Sequence, residues 1–344
     1  MIATYKKHIL EFKQASGTSR GILKTKETWF IILEENGNKG IGECGILRGL
    51  SIDDRPDYED QLKYTCDNIN KGLGILYQEN EAFPSIQIGL EIAFKSLVSK
   101  DEFDIFPSDF SKGNSSIPIN GLIWMGTEVF MKQQIKDKIE AGFSCIKMKI
   151  GAIDFDTELN LLKSIRKEFN QEDIELRVDA NGAFAPNTAL EKLKQLSEFN
   201  LHSIEQPIKK GQIQEMARLC EKTPLPIALD EELIGVFGVT KQRDLLQTIK
   251  PQYIILKPSF IGGFKGSNQW IDLAKEQKIG WWITSALESN IGLNAITQYT
   301  FTKQVNIPQG LGTGSLYTNN ISSPLEIKKG HITYNTKVNW DFKF

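Results

Sequence analysis

Charged residues recur along the middle of the 344-residue chain at intervals of about 25 to 30 residues, each at the end of a short apolar run. In chain order they are the pair Lys147 and Lys149, then Asp179, Glu205, Asp230 and Lys257. Three carboxylates close together would form an oxygen-only ligand set suited to Mg²⁺, with Mn²⁺ as the other possibility. A lysine beside such a cation can remove a proton from a carbon next to a carboxylate. These residue types therefore predict metal-assisted proton transfer on a small carboxylate substrate.

The spacing also indicates which elements hold these residues. One strand, one helix and two loops take up about 25 to 30 residues of a parallel βα array, and in a closed barrel the strand ends meet at one mouth. Side chains two apart on a strand share a face, so Lys147 and Lys149 both point inward. Taken singly, a lysine pair is usually solvated and an aspartate at a strand end is often a helix cap. Five successive strand ends that each carry an inward-pointing charge favour one shared functional site over these separate explanations.

The closeness of Lys147 and Lys149 affects whether a lysine can be neutral and act as a general base. An ordinary lysine, with a pKa of about 10.4, stays protonated at neutral pH. Lys147 and Lys149 should lie about 6.6 Å apart on one strand, where at an effective dielectric near 20 they repel by about 2.5 kcal/mol. We therefore expect a lysine pKa low enough for a base. Lys257 should approach from the opposite side of the mouth, as a second acid–base group or as electrostatic support.

The pattern divides the chain into three parts. An α+β unit without the βα repeat, the repeating barrel, and a C-terminal segment returning to the first unit are expected at residues 1–116, 117–320 and 321–344. Within them we predict a hairpin turn at 35–38, a first barrel strand at 117–122, and a last hairpin at Lys329 and Gly330. Thr127 and Pro186 are expected to begin barrel helices.

Composition excludes several classes of function. With 41 basic and 43 acidic residues, the chain has no charge excess that would favour nucleic acid or an anionic membrane. Three scattered histidines argue against a histidine zinc site or a Ser-His-Asp triad. Four cysteines without a C-x-x-C pair are expected to be reduced and buried. The N-terminus lacks a signal-like apolar core, which favours a cytoplasmic protein; nothing in the sequence fixes the oligomeric state.

The charged constellation resembles the muconate-lactonizing-enzyme-like subgroup of the enolase superfamily, which uses a lysine base with Mg²⁺. Within that subgroup, local segments are similar to the o-succinylbenzoate synthase family: 16–21, 118–124, 178–182, 256–259, 285–290 and 310–314. The resemblance implies an α/β fold, a modified TIM barrel of the (β/α)7β type with an N-terminal α+β capping domain.

The resemblance also implies a reaction and residue roles. The reaction is syn dehydration of 2-succinyl-6-hydroxy-2,4-cyclohexadiene-1-carboxylate to 2-succinylbenzoate, a menaquinone precursor. Lys149 would take the proton and return it to the departing hydroxyl, Lys257 would stabilise the ene-diolate, and Lys147 would contact the substrate carboxylate. The Mg²⁺ ligands would be Asp179, Glu205 and Asp230.

Further residues are candidates on position alone. Asn181 is expected to support the metal ligands. Arg20 is a candidate for a substrate-covering loop, with a surface cation as the alternative, and the same holds for Arg48. Ser285 and Ser289 are candidates for contact with the succinyl end, although local capping of a helix would explain them equally well.

Other functions stay open at this point. Lysines on both faces of the reacting carbon would also suit an N-succinylamino acid racemase, and another muconate-lactonizing-like enzyme with an acidic substrate is possible. A cationic dipeptide substrate is disfavoured, because residues 311–314 carry no acid. A non-catalytic metal-binding barrel is disfavoured, because it would not need every expected acid and base. A Schiff-base aldolase is disfavoured as well, because it would use a barrel lysine without needing three clustered carboxylates.

Overall fold

Antiparallel strands followed by helices form the first part of the chain in the computed structural model, which describes residues 1–18 and 21–343, with only the backbone for residues 15–18. The elements are β1 (Ile2–Thr18), β2 (Gly21–Glu35), β3 (Asn38–Gly45), α1 (Tyr58–Asp67), α2 (Leu73–Glu79) and α3 (Pro84–Val98). The predicted turn between β2 and β3 is confirmed, with positive φ angles at Asn36 (52°) and Gly37 (82°).

Helix α3 crosses the sheet at very short range. A Cβ atom on Gly42 would lie 1.9 Å from the carbonyl oxygen of Gly89, and one on Gly89 would lie 2.1 Å from Cys44 Sγ. Only glycine permits this approach of helix to strand. The resulting core of the first part includes Trp29 and Leu90, both almost fully buried.

A parallel barrel sheet follows, and its strands are short. After β4 (Ser116–Pro118) come β5 (Gly121–Ile123), β6 (Cys145–Lys149), β7 (Glu175–Asp179), β8 (Ser203–Glu205), β9 (Ile227–Leu229), β10 (Tyr253–Leu256) and β11 (Gly280–Ile283). Strands β5 to β11 lie side by side in chain order. Parallel bridges from Thr284 to Gly310 and from Ile119 to Gln309 close the ring.

Helices return the chain between successive strands. They are α4 (Glu128–Glu140), α5 (Phe155–Glu168), α6 (Pro186–Ser197), α7 (Ile213–Lys222), α8 (Val239–Ile249), α9 (Gly263–Glu276) and α10 (Asn290–Phe301). Thr127 caps α4 through its hydroxyl, and α6 begins at Pro186, as predicted. In the described ranges, no helix combines the length and the apolar character needed to cross a membrane.

The C-terminal hairpin pairs with the start of the barrel. Strands β12 (Leu325–Lys328) and β13 (His331–Tyr334) flank the predicted turn, and β13 pairs antiparallel with β4. The expected single strand at 117–122 is therefore divided, because Pro118 lacks an amide proton and the chain changes sheets before Gly121. Beyond the hairpin, Trp340 stacks on Phe103 at 4.3 Å. The division at residues 116 and 320 remains a prediction.

Candidate active site

The charged strand ends lie in register at one end of the barrel. Lys149, Asp179 and Glu205 are the last residues of β6, β7 and β8, and they are paired across neighbouring strands. Asp230 and Lys257 directly follow β9 and β10. Because successive parallel strands place their carboxyl ends together, five sequence-distant charges meet, as the spacing predicted.

Each gap between carboxylates holds a lysine ammonium group. Lys147 Nζ lies 2.7 Å from Glu205 Oε2 and 3.5 Å from Asp179 Oδ2. Lys257 Nζ donates to Asp230 Oδ2 and lies 3.8 Å from Glu205 Oε1. Side-chain exposure of the three carboxylates is only 1% to 2%. The buried negative charges are therefore balanced by the lysines that sequence analysis placed around them.

This charge balance sets the acid–base properties of the cluster. Burial alone would raise the pKa of Asp179, but Lys149, Lys147 and Lys257 outweigh it and hold the pKa well below its usual range. Burial alone would likewise lower the pKa of Lys257, yet Asp230 and Glu205 raise it far above the ordinary lysine value. Asp179 therefore remains charged at neutral pH, whereas at Asp230 burial raises the pKa well above its usual range even though Lys257 lowers it.

The expected effect of the lysine pair needs a correction. We expected repulsion between Lys147 and Lys149 to lower a lysine pKa. At Lys147 the opposite holds: burial lowers the pKa, but Glu205 and Asp179 raise it by more. Carboxylates at hydrogen-bonding distance outweigh a like charge two residues along the strand.

The donor set fits a hard cation, although its present arrangement is that of ion pairs. Within residues 1–18 and 21–343, no three His, Cys, Asp or Glu side chains converge closely enough to hold a metal ion as they stand. Glu205 Oε1 is buried and makes no hydrogen bond to any described residue, which leaves an acceptor that a cation would satisfy. Carboxylate oxygens are the ligands that Mg²⁺ prefers. Asp179, Glu205 and Asp230 are thus the residues that would hold it.

Asn181 connects the lysine to the acidic side of the site. Its Oδ1 accepts from Lys149 Nζ at 2.7 Å, and Lys149 Nζ also donates to Asp179 Oδ2 at 2.8 Å. The Asn181 side-chain amide donates to Glu231 Oε1 at 3.0 Å. Lys149 is thus held on two sides. The Asn181 backbone amide donates to Asp179 Oδ1 at 3.0 Å, and the support of metal ligands by Asn181 stays a prediction.

Above the charged cluster lies a cavity of about 380 Å³. Lysines, polar groups and apolar side chains from both halves of the chain line it, including Lys147, Lys149, Lys257, Leu23, Leu47, Trp124, Phe260, Ser285, Leu287, Thr313 and Leu316. The barrel supplies the lysines, and the first part of the chain supplies Arg48 and apolar side chains such as Leu23 and Leu47. Such a cavity suits a small molecule with an acidic group and an apolar part.

The candidate substrate contacts have different positions. Ser285 lines the cavity, and its hydroxyl is 2.6 Å from that of Thr313. Ser289 is fully buried, is not among the cavity-lining residues, and is bonded to Glu43 of β3. Arg48 lines the cavity but pairs with Glu27 and Asp54 at 2.6 Å each. Arg20 lies outside the described residues.

Residues that hold the acids in place carry little signal in the sequence. Gln206 Oε1 accepts from the backbone amides of Asp230 and Glu232, and its Nε2 donates to Glu232 Oε2 at 3.0 Å. This side chain ties the end of β8 to the loop after β9. The only signal was its place beside Glu205. Glu231, which contacts Asn181, could have been found from the acidic run at 230–232.

Comparison with known proteins agrees with this geometry. A family model described as "Enolase C-terminal domain-like" matches residues 131–338. The o-succinylbenzoate synthase of Desulfotalea psychrophila is 46% identical over 365 residues, which cover 96% of this chain and 98% of that protein.

Solved structures give the same result for the fold. The crystal structure of MenC from Desulfotalea psychrophila LSv54 superposes with a TM-score of 0.87 at 42% identity, covering 97% of this chain and 99% of that one. A dipeptide epimerase from Cytophaga hutchinsonii, complexed with Mg and the dipeptide D-Ala-L-Val, gives a TM-score of 0.82 at 19% identity, covering 99% of this chain and 96% of that one. The predicted modified TIM barrel with an N-terminal cap is confirmed.

Proposed function

Since the chain belongs to the o-succinylbenzoate synthase family of the enolase superfamily, we propose that it catalyses the Mg²⁺-dependent syn dehydration of 2-succinyl-6-hydroxy-2,4-cyclohexadiene-1-carboxylate to 2-succinylbenzoate. The observation that carries the proposal is the approach of Lys149 and Lys257 to one cavity from strands β6 and β10, above three buried carboxylates. A relative of the same fold is complexed with Mg, which supports Mg²⁺ as the metal of the proposed reaction.

The proposed roles follow from what each group faces. Asp179, Glu205 and Asp230 would hold Mg²⁺, which supplies positive charge for the substrate carboxylate as the adjacent carbon loses its proton. Lys149 acts as the base, because Asp179 and Asn181 fix its amine at the cavity wall. Lys257 stabilises the negative charge from the other side of the cavity.

The proton balance needs only one lysine. Lys149 takes the proton from the ring carbon that bears the carboxylate, and the electron pair is delocalised into that carboxylate. The carbon–oxygen bond to the ring hydroxyl then breaks, and Lys149 returns the proton to the leaving oxygen as water. Loss of water makes the ring aromatic, so the first proton transfer is the demanding step. Lys147 orients the substrate carboxylate.

The second lysine favours one alternative activity. Lys149 and Lys257 both line the cavity, from strands on different sides of the barrel. A proton could therefore be removed from one face of a carbon and returned on the other, as racemisation of an N-succinylamino acid requires. Incubation of N-succinyl amino acids in D₂O tests this activity, since α-proton exchange with inversion would establish it.

The dehydration is tested by the absorbance of the aromatic product. Protein with Mg²⁺ and the cyclohexadiene substrate should form 2-succinylbenzoate over many turnovers, and EDTA should stop the reaction. Lys149→Ala serves as the control for adventitious catalysis. No product from well-folded, Mg²⁺-loaded protein would contradict the proposal.

A further inference from the structure

Two glutamates of the N-terminal part contact the starts of two barrel helices. Glu43, in β3, accepts from the backbone amide and hydroxyl of Ser289 at 2.8 and 2.5 Å, and from the amide of Gly292 at 2.8 Å. These donors cap and begin α10. Glu91, in α3, accepts from the amides of Phe264 and Lys265 at the start of α9. Both carboxylates replace the hydrogen-bond partners that a helix N-terminus lacks.

The Glu43 contact lies nearer to the cavity wall along the chain than the Glu91 contact does. Ser289 follows the segment that contains Ser285, Ala286 and Leu287, all of which line the cavity. Phe264 and Lys265 are not among the lining residues. Leu287 lies two residues before Ser289, whereas the lining residue nearest to Phe264 is Phe260, four residues before it. A shift of α10 at Glu43 should therefore move cavity-lining backbone more than the same loss at Glu91.

A second buried glutamate extends the connection to the Lys257 side. Glu288 Oε2 accepts from the amide of Ala286 at 2.7 Å, and its Oε1 accepts from Ser259 Oγ at 2.5 Å. Ser259 lies two residues after Lys257. Ser289 and Glu288 are neighbours in one loop. Ser289 bonds to Glu43 in the first part of the chain, and Glu288 bonds to Ser259 in the loop after Lys257.

A buried lysine accompanies these carboxylates. Lys26 Nζ makes no hydrogen bond to any residue in the described part of the chain, and it lies over Gly45, where a Cβ would come within 2.5 Å of it. Side-chain atoms on Gly45 would therefore displace the ammonium group. Burial lowers the pKa of Lys26 while the nearby Glu43 and Glu288 act in the opposite sense, so its amine lies beside two buried acids.

We propose that Glu43 is a positioning residue for substrate binding: its carboxylate sets the 285–289 segment, and through it the wall of the cavity. The inference rests on the proposed function for the identity of the substrate. It assigns Ser289 to the Glu43 contact rather than to the substrate.

The test compares Glu43→Gln with the matched variant Glu91→Gln. Both changes replace a carboxylate that accepts helix N–H groups by an amide. We expect Glu43→Gln to raise KM for the cyclohexadiene substrate at least 10-fold with kcat within about threefold, and to raise the Kd of 2-succinylbenzoate by a similar factor. Glu91→Gln should change KM and Kd by less than about threefold. Equal changes of KM in the two variants would overturn the inference.

Ser289→Ala supplies a milder variant and a double-mutant cycle. It removes the hydroxyl bond and keeps the amide bond to Glu43, so we expect a severalfold rise in KM. Glu43→Gln with Ser289→Ala should be no worse than Glu43→Gln alone, because both act through one contact. Additive effects of the two substitutions on KM would overturn the inference. If Glu43→Gln does not fold, an unchanged KM in Ser289→Ala would overturn it instead. Failure of the wild type to turn over substrate and to bind product would instead contradict the proposed function.

Discussion

Removal of the Lys147 ammonium group should destabilise the metal-free protein and raise its affinity for Mg²⁺. Lys147 Nζ lies 2.7 Å from Glu205 and 3.5 Å from Asp179, with all three side chains buried. Loss of one partner from a buried ion pair costs about 3–5 kcal/mol, so Lys147→Met should destabilise the metal-free protein by that amount. The apolar stem is kept, which limits the loss of packing.

The gain in Mg²⁺ affinity follows from the same charges. Two unit charges about 4 Å apart repel by about 4 kcal/mol at an effective dielectric near 20. Relief of even a third of this repulsion corresponds to a tenfold change in affinity, about 1.4 kcal/mol. We therefore expect Lys147→Met to bind Mg²⁺ at least tenfold more tightly than the wild type, with catalysis lost because the substrate carboxylate loses its cation.

The measurement combines unfolding in EDTA with calorimetric Mg²⁺ titration. Lys7→Met is the matched control, since Lys7 pairs with Glu27 at 2.6 Å but is 38% exposed. An exposed pair contributes at most about 1 kcal/mol, and its loss should not change Mg²⁺ affinity. The reasoning is refuted if Lys147→Met binds Mg²⁺ no better than the control, or if both variants are equally stable without metal.

Three further outcomes are expected. Lys149→Ala should abolish turnover without weakening Mg²⁺ binding, because its ammonium pairs with Asp179 at 2.8 Å and its loss removes a positive charge from the metal site; activity near that of the wild type would rule out its role as base. Asp230→Ala should weaken Mg²⁺ binding at least 100-fold by calorimetry, and an unchanged titration would remove Asp230 from the ligands. Burial raises the pKa of Glu91 to about 7 from 4.5, so its stabilisation is complete below about pH 4.5 and is lost as pH rises through 7. Measured by urea unfolding, the free energy of unfolding should therefore fall by about 2.5 kcal/mol more in the wild type than in Glu91→Gln between pH 5 and pH 8. Parallel pH profiles of the two proteins would contradict this.

Sequence spacing predicted the barrel end of the site because the repeat is local. Asp179 and Glu205 each close a strand, and parallel pairing leaves little freedom in where such residues meet. The same logic predicted helices at Thr127 and Pro186, whose signals lie within one turn. Period and local capping thus account for most of the architecture and for the placement of the charged residues.

Long-range pairings carried no such signal. The bond between Glu43 and Ser289 joins residues 246 positions apart, and no spacing predicts it. The division of the first barrel strand depends on β13 competing for Ser116–Pro118, a tertiary contact. The raised pKa of Lys147 depends on which oxygen its amine reaches, and distance along the strand alone suggested the opposite sign.

Charge balance links the metal, the substrate and the lysines of the proposed mechanism. In the structure the three lysines balance the three strand-end carboxylates inside a buried cluster. A dication alone would add two positive charges to this cluster, and a substrate with two carboxylates alone would add two negative charges; either change is costly in a poorly solvated site. Together they add none. The lysines could then leave their carboxylate partners for the substrate, because a bound cation would neutralise Asp179, Glu205 and Asp230. Ion pairing between lysines and prospective ligands is therefore consistent with a metal-dependent enzyme, since it keeps the same buried acids neutralised before the reactants bind.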